Sequence, residues 1–133
     1  MIRAVADTHA VIWYLFQDSR LSLKARSYIE QVTLAGDQIA FSSITLAEIV
    51  YLTERNRIPV ETFVQLLEIV DTGRSVWVEV PFDREVAFAI QQVDRAQVPE
   101  LPDRIVAATA FHLGVPVITR DHKIQASNIS TIW

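Results

Sequence analysis

The chain has 133 residues, half of them hydrophobic, so we predict one domain over residues 1–133 with a sizeable buried core. It contains no cysteine, which excludes disulfides, thiolate zinc sites and a cysteine nucleophile. Its net charge of −4 argues against a protein that coats nucleic acid by bulk electrostatics, although ten of its 12 basic residues are Arg, whose guanidinium suits phosphate.

Predicted strands and helices alternate along the chain. From the N-terminus we predict a strand at 2–6, helices at 8–16 and 22–35, a strand at 39–41, helices at 42–57 and 60–73, a strand at 76–80, a helix at 83–93, a loop at 96–102, a helix at 103–114, and strands at 116–119 and 129–133. The apolar run at 10–16 is far shorter than the ~20 residues of a membrane span, and no basic segment precedes it. We therefore expect a cytoplasmic protein with no membrane association.

The alternation predicts an α/β fold, in which a mostly parallel sheet carries helices on both faces. Because crossovers between parallel strands are right-handed, residues that follow strands leave the sheet at its carboxyl edge. Asp7 follows the apolar run 2–6, and Asp121 follows the run 115–119. We expect both at that edge, where α/β folds gather ligands.

The predicted helix at 103–114 is apolar on nearly all sides between Ile105 and Phe111. Burial in the core explains such a helix, and so does an interface between two copies of the chain. The small residues in this run allow a neighbouring element to approach closely in either case.

Four acidic residues are candidates for one metal site: Asp7, Glu48, Asp103 and Asp121. Glu48 and Asp103 are each placed in the first turn of a predicted helix. A hard divalent cation such as Mg²⁺ binds several carboxylate oxygens at once. Two carboxylates ~4 Å apart repel by about 4 kcal/mol at an effective dielectric of roughly 20, so a cluster of them calls for a cation.

Each of these acids also has a purely structural interpretation. Asp7 and Asp103 can be helix N-caps, and Asp121 can be an ordinary turn residue. Thr45-x-x-Glu48 has the spacing of a capping box. No single acid is a specific signal, but four acids predicted at one edge of one sheet favour the metal site.

Other polar residues add less. Three cations adjoin the candidate acids and could contact substrate phosphates or be solvated charges: Arg104, Arg120 and Lys123. The three histidines share no ligand spacing: His9, His112 and His122. The chain carries no glycine-rich phosphate loop, and His9 stands where a phosphatase of the Asp-x-Asp type has its second acid.

In combination, four stretches resemble the PIN-domain ribonucleases, in particular the VapC-type toxins of bacterial and archaeal toxin–antitoxin pairs. The stretches are 6–13, 42–49, 102–110 and 117–121 together with Ile124. Their order and spacing cover essentially the whole chain. The combination is specific, although each stretch alone is not.

This resemblance implies a three-layer α/β/α sandwich and RNA cleavage that depends on Mg²⁺ or Mn²⁺. It implies that Asp7 and Asp103 bind metal and that Glu48 and Asp121 complete the cluster. It also implies a homodimer and an antitoxin partner. The chain departs from the family at Glu100, where many relatives have Asp, so the role of this position stays open.

The sequence thus predicts a metal-dependent endoribonuclease that is the toxin of a toxin–antitoxin pair. Two alternatives stay within the same fold: a PIN-like module that binds protein or RNA without catalysis, and a housekeeping nuclease without an antitoxin. A Mg²⁺-dependent phosphatase is a third. Sequence alone does not identify the RNA that is cut or the number of metal ions.

Overall fold

The computed structural model describes all 133 residues, in five strands, seven α-helices and one short 3₁₀ helix. In chain order the elements are β1 (Ile2–Ala6), α1 (Thr8–Leu15), α2 (Leu23–Leu34), β2 (Gln38–Ser42), α3 (Ile44–Glu54), α4 (Thr62–Asp71), β3 (Trp77–Val80), α5 (Arg84–Ala89), the 3₁₀ helix (Ile90–Gln92), α6 (Leu101–Leu113), β4 (Val117–Ile118), α7 (His122–Gln125) and β5 (Thr131–Ile132). None of these helices combines the length and the apolar composition needed to cross a membrane.

The five strands form one parallel sheet in the order β3-β2-β1-β4-β5. Central strand β1 pairs Val5 with Ala40 of β2 on one side and with Val117 of β4 on the other. The chain winds outward through β2 to β3, then returns to place β4 and β5 beyond the opposite edge of β1. The winding therefore reverses between β1 and β4, and ligands of open parallel sheets bind at such reversals.

The two faces of the sheet pack against different helices, because side chains alternate along each strand. In β1, Ala4 and Ala6 join a core cluster with α1, α2, α3 and α4, whereas Val5 joins a second cluster with α5, α6 and α7. The same alternation holds for Phe41 and Ala40 of β2. The predicted three-layer α/β/α sandwich is confirmed, and its sheet is parallel throughout.

The structure departs from the prediction at the start of α6 and at α7. Helix α6 begins at Leu101, two residues before the predicted start at Asp103, because Pro102 fits a first turn that needs no backbone donor. Helix α7 was not predicted, since its four residues are too few to show a helical period. Asp121, interpreted as a possible turn residue, is the N-cap of this short helix.

The apolar interior of α6 belongs to the core of the chain itself. Residues Ile105 to Ala110 are all buried, and most of them pack in the second cluster. Burial explains the composition of this helix without a second copy of the chain. The small side chains of Ala107 and Ala108 let α6 lie close to β1 and β2.

Candidate functional site

One polar cleft opens at the carboxyl edge of the sheet, beside the reversal between β1 and β4. Its volume is about 700 Å³. All four predicted acids line it: Asp7, Glu48, Asp103 and Asp121. Each comes from a different part of the chain, so the tertiary structure brings together carboxylates that the sequence separates widely.

Asp7 is held in place by two donors. Its Oδ1 accepts a hydrogen bond from the backbone N–H of Ala10 at 2.8 Å, which makes it the N-cap of α1, and its Oδ2 accepts one from the Thr119 hydroxyl. Burial raises the pKa of Asp7 above its usual value of 3.8, and these two hydrogen bonds oppose that rise. The capping interpretation is correct for Asp7, and the same carboxylate also faces the cleft.

Glu48 lies in the second turn of α3, where it does not cap the helix. Its Oε1 accepts a hydrogen bond of 2.6 Å from the hydroxyl of Thr8, which also lies 3.0 Å from the hydroxyl of Thr45. The N-cap of α3 is Ser43, and Thr45 lies inside the helix. The capping-box interpretation is therefore wrong, and a contact between α1 and α3 fixes Glu48 instead.

Asp103 lies in the first turn of α6 and is not its N-cap, which is Glu100. No donor of the protein is bonded to its carboxylate. Burial first, and then the negative charges of Asp121, Glu100, Glu48 and Asp7, raise the pKa of Asp103 to about 6. The acids of the cleft thus act on one another electrostatically, and four of them raise the pKa of Asp103.

Asp121 uses one oxygen for local structure. Its Oδ1 accepts hydrogen bonds from the backbone N–H groups of Lys123 and Ile124, at 2.9 and 3.0 Å, and so caps α7. Its own N–H donates to the Thr119 hydroxyl at 2.9 Å. Thr119 therefore connects the backbone at Asp121 with the carboxylate of Asp7.

Several carboxylate oxygens at the cleft have no donor from the protein: both oxygens of Asp103, Oε2 of Glu48 and Oδ2 of Asp121. Free carboxylate oxygens are the ligands that hard divalent cations prefer, and a cation would relieve the repulsion around Asp103. No three His, Asp or Glu side chains, however, lie close enough to form a complete metal-binding group. The free carboxylate oxygens are suitable ligands for a divalent cation, but the protein alone does not bring enough of them together to surround one.

Three further titratable residues line the cleft. Glu100, whose role the sequence left open, lies there and is one of the charges that raise the pKa of Asp103. His9 and His122 also line the cleft, and the ring of His9 lies 5.5 Å from that of Trp13. His112 lies elsewhere, in the last turn of α6.

Of the three predicted cations, only Arg120 lines the cleft. The guanidinium of Arg104 donates instead to the carbonyl oxygens of Ile90 and Val93, at 3.2 and 3.1 Å. It ties α6 to the segment that follows α5, so we exclude Arg104 from the substrate-binding residues. Lys123 does not line the cleft either; it gives its backbone N–H to Asp121.

Sequence reasoning missed four residues that shape the cleft: Thr8, Trp13, Arg20 and Thr119. Thr8 and Thr119 neighbour predicted acids, and a hydroxyl beside a buried carboxylate is a signal that could have been weighed. Trp13 lies in the predicted helix at 8–16 and is only 5% exposed, so its apolar surroundings in the sequence indicate the core and not the cleft. Arg20 lies in an irregular segment between two helices, and no local pattern indicates that it reaches the cleft.

The sequence model described as "PIN domain" matches residues 4–128 of the chain. A search among curated proteins finds none that matches the chain. Among solved structures, the chain is similar to one of VapBC2 from Rickettsia felis bound to a promoter DNA fragment, with 18% identity, a TM-score of 0.67, and coverage of 98% of this chain and 97% of that one. A toxin–antitoxin complex from Klebsiella pneumoniae is similar at 23% identity and a TM-score of 0.66, covering 98% and 96% of the two chains.

A third similar structure is FitAcB from Neisseria gonorrhoeae, with 23% identity, a TM-score of 0.61, and coverage of 98% of this chain and 96% of that one. At these identities the solved structures establish a shared fold. The match to the sequence model spans nearly all of the chain and includes all four acids of the cleft.

Proposed function

The chain belongs to the PIN domain family, and from that premise we propose that it is a metal-dependent endoribonuclease that hydrolyses RNA phosphodiester bonds. The observation that carries the proposal is the gathering of Asp7, Glu48, Asp103 and Asp121 in one cleft. Three of these acids keep oxygens that no group of the protein occupies. Mg²⁺ is the cation we propose, with Mn²⁺ as a substitute, because both are hard ions that carboxylates bind.

The four carboxylates would hold the cation, which on binding supplies charge stabilisation to a phosphate and lowers the pKa of a bound water. The protein itself orients two of the acids through hydrogen bonds to their carboxylates. Thr119 and Ala10 orient Asp7, and Thr8 orients Glu48. Such supporting hydrogen bonds limit the rotamers of the acids, so little reorganisation is needed when substrate arrives.

We further propose that the protein is the toxin of a toxin–antitoxin pair in the cytoplasm and that it forms a homodimer. Support comes from the similarity of its fold to chains of toxin–antitoxin complexes. An antitoxin can silence an anionic cleft by inserting an Arg or Lys that pairs with its carboxylates. A small protein encoded by an adjacent gene would be the first partner to test.

One assay separates a nuclease from a phosphatase and from a non-catalytic module. We expect purified protein to cut single-stranded RNA with Mg²⁺ or Mn²⁺ and to stop when EDTA is added, while a small phosphate ester is left intact. Cleavage of the ester would support a phosphatase. Binding of RNA without any cleavage, under every divalent metal tried, would support a non-catalytic module and refute the nuclease.

A further inference from the structure

Two Arg side chains meet over one indole ring at the rim of the cleft. The guanidinium carbon of Arg120 lies 4.5 Å from the ring centroid of Trp13, and that of Arg20 lies 5.2 Å from it. Trp13 is itself fixed in the core, packed against Trp133 at 5.9 Å between ring centroids. Arg20 and Arg120 come from the two ends of the chain, so only the fold brings them together.

These two residues are the only Arg or Lys side chains that line the cleft, which five carboxylates otherwise dominate. Arg20 is held by Asp18, whose two oxygens accept from its Nε at 3.1 Å and from its Nη2 at 2.7 Å. Arg120 forms neither an ion pair nor a side-chain hydrogen bond with the protein, despite the nearby acids. Its charge faces the aromatic ring and the cleft.

RNA brings a negative charge at every nucleotide into this acidic cleft. A cation at the carboxylates can offset the charge of the phosphate that is cut, but the next phosphate along the strand needs a positive partner of its own. We propose that Arg20 and Arg120, positioned by Trp13, bind the RNA backbone phosphate adjacent to the one that is cut. This inference rests on the nuclease function proposed above and assigns to that site its contact with the neighbouring nucleotide.

The geometry favours a phosphate over a base as the ligand of this pair. Trp13 is 5% exposed, and the guanidinium groups lie over its ring, so the indole is not open for a nucleobase to stack on it. Guanidinium groups bind phosphate oxygens through charge-assisted and often paired hydrogen bonds. The ring and Asp18 hold the two groups in place beforehand, which reduces the side-chain entropy lost on binding.

The test measures how cleavage of a fluorogenic single-stranded RNA in Mg²⁺ depends on KCl. For single strands, each phosphate contact contributes a slope of about −0.7 to a plot of log affinity against log salt. We expect Arg20→Met and Arg120→Met each to raise KM about tenfold, a usual effect of losing a hydrogen bond to a charged group, and to flatten the salt dependence of 1/KM, with kcat unchanged. Met keeps an apolar stem against Trp13, and a thermal melt of each variant checks folding.

Two controls make the comparison specific. Arg55→Met removes an Arg with similar geometry, 4.5 Å from the ring centroid of Tyr51 but outside the cleft, and should leave KM and its salt dependence unchanged. Arg120→Lys keeps the charge and should retain most of the salt dependence. A series of RNAs can carry one uncharged methylphosphonate linkage at successive positions. The wild type should bind most weakly the RNA whose linkage lies next to the cut. The double Met variant should bind that RNA no more weakly than the others.

If the double Met variant cuts RNA with the KM and the salt dependence of the wild type, the phosphate contact is overturned and the nuclease proposal is unaffected. The proposal would also be overturned if the wild type bound an RNA that lacks one base more weakly but bound the methylphosphonate RNA normally. That result would show base recognition instead. A wild type that cuts no RNA would refute the nuclease, and the phosphate contact with it.

Discussion

The hydroxyl of Thr119 donates a hydrogen bond to the carboxylate of Asp7, joining residues that are 112 positions apart. The same hydroxyl accepts the backbone N–H of Asp121, so one buried side chain sets the relative positions of two acids of the cleft. Thr119 directly follows β4, and Asp7 directly follows β1, the strand that pairs with β4. The contact therefore depends on the sheet order.

We predict that Thr119→Val lowers nuclease activity strongly and lowers stability by about 1–2 kcal/mol. Valine has nearly the same shape but leaves the carboxylate of Asp7 and the N–H of Asp121 without their partner. Initial rates of RNA cleavage and chemical denaturation measure the two effects. Thr119→Ser keeps the hydroxyl and should retain most of the activity; equal loss in both variants would count against the hydroxyl as the group that sets the activity.

We predict that Asp7→Asn and Asp103→Asn each abolish RNA cleavage and leave the fold intact. Asparagine caps a helix about as well as aspartate, so Asp7→Asn should keep α1 in place while weakening the binding of a cation. Asp83→Asn is the matched control, because Asp83 caps α5 in the same way but lies outside the cleft. Wild-type rates in either cleft variant would remove that acid from the metal site.

We predict that Glu48→Gln melts near the wild-type temperature but cuts RNA far more slowly. Glutamine can still accept the hydrogen bond from Thr8, so the contact between α1 and α3 survives, whereas the negative charge is lost. Thermal melts and cleavage rates are compared with those of Glu54→Gln, an exposed residue at the end of the same helix. Normal cutting by Glu48→Gln would mean that this acid only supports the fold.

We predict that the metal-free protein loses stability as the pH rises through about 6. The folded state raises the pKa of Asp103 from 3.8 to about 6, so the folded protein binds its proton more tightly than the unfolded chain does. The stabilising effect is complete below pH 3.8 and is lost as Asp103 ionises near pH 6. In EDTA, the melting temperature of Asp103→Asn should therefore exceed that of the wild type more at pH 7.5 than at pH 4.5.

The same linkage predicts that Mg²⁺ raises the wild-type melting temperature more at pH 7.5 than at pH 4.5, because protons compete with the cation for the carboxylates. Asp103→Asn should show a smaller Mg²⁺ effect at both values. An equal Mg²⁺ effect on both proteins at pH 7.5 would show that Asp103 is not a ligand.

We predict that expression of the protein alone slows cell growth and that co-expression with the small protein of the neighbouring gene restores it. The pair should then purify together. Expression of Asp103→Asn, which we expect to be inactive, should be harmless without the partner. Harmless expression of an active wild type would favour a housekeeping nuclease over a toxin.

Local sequence patterns predicted the strands, most of the helices and the edge at which Asp7 and Asp121 emerge. These features follow from short-range patterns: apolar runs, helical spacing, and capping residues at helix starts. Parallel strands share a carboxyl edge, so the acids that follow them could be placed without coordinates. The resemblance to the PIN family, now confirmed, rests on the same local stretches.

The side chains that complete the cleft depend on contacts between distant parts of the chain, which local patterns do not reveal. The pattern Thr45-x-x-Glu48 fits a capping box, yet Glu48 bonds to Thr8 of another helix, because the N-cap of α3 is Ser43, two residues earlier than the pattern implies. Arg104 and Arg120 both adjoin predicted acids, but Arg104 donates to carbonyl groups in the segment that follows α5, and Arg120 lies over the ring of Trp13. Partners far apart in the sequence compete for each such side chain, and the strand order and helix packing decide between them.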